Sequence, residues 1–159
     1  MGYIEDLRAM IGHTRINLCG SVVIIRNSKG HILMQQRKYP YGRWGLPGGL
    51  MELGEAAEDT ARREVFEETG MELGNLKLLG VYSGKDYLCR AANGDEFYTV
   101  VMSYIADEYF GEPSVHDDES LQFRWFDPLE LPENIAGSHR NMLRDYISQY
   151  VNADERQAI

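Results

Sequence analysis

Three glutamates, Glu64, Glu67 and Glu68, stand three and four residues apart in a stretch running from position 49 to position 71. On a helix those spacings put all three carboxylates on one side. Like charges so placed cost an isolated helix about 0.2–0.5 kcal/mol per pair, so the cluster calls for a compensating cation. A divalent metal is the first candidate, because glutamate oxygens and water suit Mg²⁺ or Mn²⁺. Zinc would draw on His or Cys, and neither occurs in this stretch. The plain alternative is a solvated acidic helix face, since Glu is a good helix former.

The flanking residues give the cluster a setting. Pro47 followed by Gly48 and Gly49 predicts an irregular turn whose backbone can approach a ligand closely. Glu52, Glu55, Glu58 and Asp59 crowd the expected first turn, where the helix dipole favours negative charge, and Gly70 is a helix stop. Ala57, Ala61 and Val65 recur every fourth residue, a small stripe able to sit close on a sheet while the glutamates face a cleft.

Gly49, Glu55, Arg63, Glu64, Glu67, Glu68 and Gly70, with apolar Val65 and Met71, fill every specified position of the signature box of the Nudix (MutT-like) hydrolases, which this stretch resembles. Met71 stands where the family usually has Ile, Leu or Val. The likeness covers positions 16–127 and implies an α/β fold, a Nudix-type α/β/α sandwich with a mixed β-sheet and a loop-helix-loop catalytic motif. The activity it implies is metal-dependent hydrolysis of a diphosphate joined to a nucleoside on one side and a variable group on the other. By the same likeness Glu64, Glu67 and Glu68 are metal ligands, with the Gly48 carbonyl as a further one. Arg63 then orients a glutamate through a salt bridge, and Glu55, as its partner, is auxiliary. A glutamate outside the box often completes such sites; Glu119, in the acidic loop from His116 to Ser120, is the candidate, and the general base is left open between Glu64 and Glu119.

Arg37 ends a strand leading toward the box, and Arg43 and Trp44 precede Gly45-Leu46-Pro47. Arginine can hold phosphate bidentately, while Trp44 or Tyr41 could stack on a base. Tyr87 lies where a tyrosine is associated with dinucleoside polyphosphate hydrolases and a proline with ADP-ribose hydrolases; no proline is there, which disfavours ADP-ribose. Cleavage of oxidised nucleoside triphosphates is the other enzymatic alternative. A non-catalytic regulator would have eroded the metal glutamates, and a diphosphate isomerase of related fold would need a catalytic cysteine, for which neither Cys19 nor Cys89 has a recognisable setting.

The 159 residues suffice for one domain with its own core. A formal charge of −9 argues against nucleic-acid binding, which calls for a basic stripe. With no run of eighteen apolar residues and no apolar leader, no membrane association is expected and the cytoplasm is the expected compartment. Cys19, in an apolar strand pattern, reads as a buried small hydrophobe, and His13, His31, His116 and His139 as incidental. Strands are predicted over 16–26 and 31–37, paired as a hairpin across Asn27-Ser28-Lys29-Gly30, and over 76–82, 97–106 and 121–126. Helices are predicted over 3–11 and 138–150, the latter with Met142, Leu143, Tyr146, Ile147 and Tyr150 on one face. The apolar faces of these terminal helices suggest a homodimer, and the tail over 152–159 is expected to fray.

Overall fold

The computed structural model describes residues 2–151, so the tail over 152–159 lies outside the described residues. Along the chain run α1 (Tyr3–Ile11), β1 (Ile16–Ile25), β2 (Ile32–Arg37), β3 (Trp44–Gly45), β4 (Gly48–Leu50) and α2 (Ala57–Thr69). They are followed by β5 (Glu72–Leu73), β6 (Lys77–Tyr82), β7 (Leu88–Arg90), β8 (Glu96–Ala106), β9 (Tyr109–Phe110), β10 (Ser120–Phe126) and α3 (Gly137–Tyr146), which continues into a wide helical turn, Ile147–Val151.

The β-branched run of β1 makes it the spine of a mixed sheet in the order β4-β1-β8-β6, with β7 also on β8. β1 pairs in parallel with β8 from Ile16↔Phe97 to Ile25↔Ala106, and antiparallel with β4. Successive side chains of a strand point to opposite faces. Accordingly Val22 and Ile24 pack with Met142, Leu143 and Tyr146 of α3, while Val23 and Ile25 pack with Ala61 and Val65 of α2. Each such fully buried aliphatic side chain contributes about 1.5–3 kcal/mol, so the two helices are held on opposite faces by alternate residues of one strand. This is the expected α/β layering with a mixed sheet.

Two local expectations are corrected. Only the end of the β1–β2 hairpin exists, as a bridge between Arg26 and Ile32. The turn itself is as read, with Asn27 Oδ1 accepting from the Lys29 and His31 N–H groups. Both edges of β1 are taken by β4 and β8, so β2 leaves to form a second sheet in the order β10-β2-β3. Cys19 is exposed rather than buried. It shares a face with Ser21, whose Oγ donates to the Ala57 carbonyl at 2.7 Å at the start of α2; Cys19 is one step beyond that start, where the helix no longer covers the sheet.

The apolar stripe of α3 is spent within the protein, with Met142, Leu143 and Tyr146 buried and Ile147 and Tyr150 packed against them. Helix α1 buries none of its residues and is fastened by polar contacts. The Tyr3 N–H donates to Glu52 Oε2 at 3.0 Å, and Arg8 donates to the Gly12 and Glu96 carbonyls. Among the described residues, no helix is long and apolar enough to cross a membrane.

Candidate active site

Helix α2 carries the glutamate cluster. Its first turn holds Glu58 and Asp59 only, so Glu52 and Glu55, expected there, belong to the preceding turn. Gly70 ends it in the left-handed conformation, φ 78°, with its N–H donating to the Phe66 carbonyl. Ala61 and Val65 are buried against the sheet. The opposite side presents Arg63, Glu64 and Glu67.

Arg63 is the first cation to answer the acidic cluster. Its Nε and Nη2 grip Glu55 at 2.7 and 2.9 Å, Nη1 donates to Glu64 at 3.0 Å and Glu67 at 3.2 Å, and Nη2 also donates to the Leu50 carbonyl at 3.0 Å. A guanidinium has five N–H donors, and all are spent here. The bidentate grip holds the Glu55 carboxyl down at about 2. Thr60 Oγ1, donating to Glu55 at 2.7 Å, fixes the pair to the helix. One guanidinium cannot balance this many carboxylates, and a surplus of negative charge remains.

That surplus is sharpest at Glu68. Its side chain is buried, the residue being 5% exposed. Oε1 accepts a 3.3 Å hydrogen bond from the Gly48 N–H, while Oε2 is buried with no partner among the described residues. Burial first, then the charge of Glu64, pushes the Glu68 carboxyl well above the usual range. Glu64 is raised as well, by burial first. Backbone closeness makes the arrangement possible: a Cβ on Gly48 would collide with the Ser21 carbonyl and Val22, and one on Gly49 with the Glu64 carboxylate.

Two further segments border the cluster. The loop over 111–119 caps the C-terminus of α2, with the Ser114 and His116 N–H groups donating to the Thr69 and Glu68 carbonyls at 3.1 Å each. Asp117 Oδ1 accepts from the Glu119 and Ser120 N–H groups and so fixes the loop's end, leaving the Glu119 side chain exposed, its charge within electrostatic reach of Glu64 and Arg37. Arg37, at the end of β2, is half-buried, and its guanidinium makes one hydrogen bond among the described residues, from Nη2 to the Leu46 carbonyl at 3.4 Å. Burial lowers its pKa, opposed first by the charge of Glu68 and also by that of Glu119. The structure thus brings Arg37, Glu64, Glu67, Glu68, Glu55, Arg63, Gly48 and Glu119 into one neighbourhood.

The aromatic candidates lie elsewhere. Trp44 is 7% exposed, edge-on to Phe126 with centroids 4.9 Å apart and Arg124 over its ring. Tyr87 is 5% exposed, its hydroxyl accepting from Asn141 Nδ2 at 3.2 Å. Both expectations of substrate contact are corrected to core packing, because neither ring has a free face. Arg43 is exposed and adjoins Arg37 through a 2.7 Å bond from the Arg37 N–H to its carbonyl. The sequence reading missed His139, which is buried and accepts the Leu46 N–H at Nδ1, 2.8 Å away. The signal was present: His139, Met142, Leu143 and Tyr146 follow the i, i+3, i+4, i+7 spacing of a core face.

Residues 19–146 match the NUDIX domain. The chain belongs to the Nudix family. It is 34% identical over 125 residues to an ADP-ribose pyrophosphatase of Methanocaldococcus jannaschii, covering 78% of this chain and 69% of that one. It is 29% identical over 111 residues to an oxidized purine nucleoside triphosphate hydrolase of Danio rerio, covering 70% and 66%. Among solved structures it resembles a MutT NUDIX hydrolase from Burkholderia pseudomallei, with a TM-score of 0.70 and 32% identity over 81% of this chain and 97% of that one. This Nudix protein is accordingly a hydrolase of phosphorus-containing anhydrides.

The Nudix family works with divalent metal, and the residues here fit one. Among the described residues, no three acidic side chains converge as a ready coordination cage, because Arg63 draws Glu64 and Glu67 to itself while Glu68 turns to Gly48. What marks the position is the unpartnered, buried Glu68 Oε2, with Glu64 as its charged neighbour. A buried carboxylate oxygen costs several kcal/mol unless a partner compensates it, and the donors present are hard oxygens.

Proposed function

We propose that this chain hydrolyses the diphosphate linkage of a nucleoside diphosphate derivative, water attacking phosphorus, with Mg²⁺ or Mn²⁺ held by Glu64, Glu67, Glu68 and the Gly48 carbonyl. When bound, the cation neutralises the diphosphate and lowers the pKa of the attacking water. Glu68 would hold the cation from the buried end, and Glu64 and Glu67, which bond to Arg63, would supply the other carboxylates. Arg63, itself tied to Glu55, keeps those two glutamates in range without touching substrate. Glu64 or Glu119 takes the proton from the attacking water, since both border the cluster. Arg37, with Arg43 outside it, holds the phosphates: a half-buried guanidinium with one long hydrogen bond has donors to spare.

The observation that carries this reading is the buried carboxylate of Glu68, lacking a partner at Oε2, beside the under-bonded Arg37. The relatives' names point to different substrates, ADP-ribose and oxidised purine triphosphates. The missing proline near Tyr87 speaks against ADP-ribose, and burial of Tyr87 removes the support for dinucleoside polyphosphates. Product analysis with Mg²⁺ or Mn²⁺ against nucleoside triphosphates, oxidised nucleotides, nucleotide sugars, ADP-ribose and dinucleoside polyphosphates tests the proposal, with Glu68→Gln as control. Cleavage of one class, lost in the control, supports it. Tight binding without cleavage of any member overturns it in favour of a ligand-binding regulator.

A further inference from the structure

Leu46 is gripped at both of its backbone polar groups. From α3, His139 Nδ1 accepts the Leu46 N–H at 2.8 Å; from β2, Arg37 Nη2 donates to the Leu46 carbonyl at 3.4 Å. A Cβ on Gly45 would stand 3.0 Å from both Arg37 Nη2 and His139 Nδ1, so imidazole and guanidinium close directly on the backbone. Acceptance at Nδ1 requires the neutral ring with its proton on Nε2. Burial, then the adjacent Arg37 charge, keeps His139 neutral, with its pKa down at about 3.

The bonds continue along the same segment. The Trp44 N–H donates to the Asn134 carbonyl and the Ala136 N–H to the Trp44 carbonyl, each at 2.8 Å, which staples the approach to α3 onto β3. The Val23 N–H donates to the Pro47 carbonyl at 2.9 Å, and the next residue, Gly48, donates to Glu68. An unbroken tether therefore runs from the first turn of α3 to the buried carboxylate.

We propose that His139 is a positioning residue for the hydrolysis described above, on which reading this inference rests. It touches no substrate. It sets the Leu46 backbone, and through that residue both the Arg37 guanidinium and the contact of Gly48 with Glu68. Without an acceptor at this point the Leu46 N–H is buried unpaired, and the segment shifts to find a partner. A displacement of about 1 Å in such a support is enough to cost up to about a hundredfold in rate.

Two variants separate positioning from mere packing. His139→Asn places Oδ1 where Nδ1 accepts, and His139→Leu fills similar volume with no acceptor; His139→Ala replaces the latter if it does not fold. Folding is followed by circular dichroism and melting, catalysis by kcat and KM. Independently of turnover, the Leu46 amide is followed by hydrogen exchange, the His139 tautomer by nitrogen chemical shifts in the unmodified protein, and Mn²⁺ binding by water proton relaxation. The expected result is an Nε2-protonated ring and a protected Leu46 amide in the unmodified protein. In folded His139→Leu, protection is lost, Mn²⁺ binds more weakly and kcat falls about ten- to a hundredfold with a smaller change in KM. His139→Asn restores protection, Mn²⁺ binding and kcat to within about threefold. An Nδ1-protonated ring, an unchanged Leu46 amide in the leucine variant, or equal losses in both variants would overturn the proposal. The amide and tautomer decide the clamp even where no substrate is cleaved, so failure of the hydrolase reading is seen separately.

Discussion

Arg63 and Arg37 flank the same acidic cluster and are used in opposite ways. Arg63 spends all five donors on protein, on Glu55, Glu64, Glu67 and the Leu50 carbonyl, whereas Arg37 is half-buried with one long bond to Leu46. A saturated guanidinium is scaffolding, because a ligand could recruit it only by breaking bonds already made. An unsaturated one held away from water pays desolvation without full return, a cost the fold tolerates where a ligand supplies the missing acceptors. The same contrast divides the carboxylates: Glu55 is held near 2 by its partner, and Glu68 is pushed up for want of one.

Substituting the under-partnered groups should therefore damage activity, and substituting the saturated one should damage stability. The largest effect is expected for Glu68→Gln, with turnover falling about 10²-fold or more as charge stabilisation is lost. Its melting temperature should hold or rise, since a buried charge without a full set of partners is removed; steady-state kinetics and a thermal melt check both. Next comes Arg37→Met, which keeps the aliphatic stem. KM should rise about ten- to a hundredfold through loss of charge-assisted phosphate bonds, with stability changed by less than about 1 kcal/mol in urea. An unchanged KM would break the comparison at its root.

Arg63→Met should behave the other way, losing about 1–3 kcal/mol in urea as Glu55, Glu64 and Glu67 lose their partner. The Glu55 carboxyl, read by NMR titration, should move from about 2 back toward 4.5. Because its folded pKa is depressed, Glu55 contributes stability above pH 4.5 that is lost as pH falls toward 2, and this acid-side loss should shrink in the variant. The last effect is seen only against pH and concerns His139. Its folded pKa of about 3 lies below the ordinary 6.5, so only the unfolded chain takes up that proton between those values. Stability should decline as pH falls from 6.5 toward 3, by at most about 1.4 kcal/mol per pH unit from this group, and His139→Asn should flatten that decline in urea midpoints taken at successive pH values.

The legible and illegible parts of this molecule differ for physical reasons. Helix α2 could be read because its apolar stripe, its glycine stop and its glutamates are all local patterns of period 3.6, and each is realised by contacts within or directly beneath the helix. The pairing of Arg63 with Glu55 came instead from the family resemblance, since Glu55 lies in the turn before the helix. Strand partners were not legible. The residues of β1 announce a strand but carry no record of whether β2 or β8 will lie beside it, and the turn after β1 pointed to the wrong neighbour. Trp44 and Tyr87 were placed by chemical type, as rings able to stack, when their exposure depended on Phe126 and Asn141, far off in sequence. Exposure of Cys19 likewise turned on where α2 begins. His139 was passed over because it lacked ligand spacing, although its helical spacing marked it as inward.

The parallel pairing of β1 with β8 has a consequence for biosynthesis. The whole Nudix box is complete at Met71, yet the strand that locks its scaffold begins only at Glu96, and the helix that fastens Leu46 only at Gly137. Contacts between segments so far apart in sequence form late, after the chain has met the entropic cost of closing a long loop. A nascent chain thus carries Glu64, Glu67 and Glu68 long before it has a platform to display them, and that platform is complete only once β8 and α3 have been made.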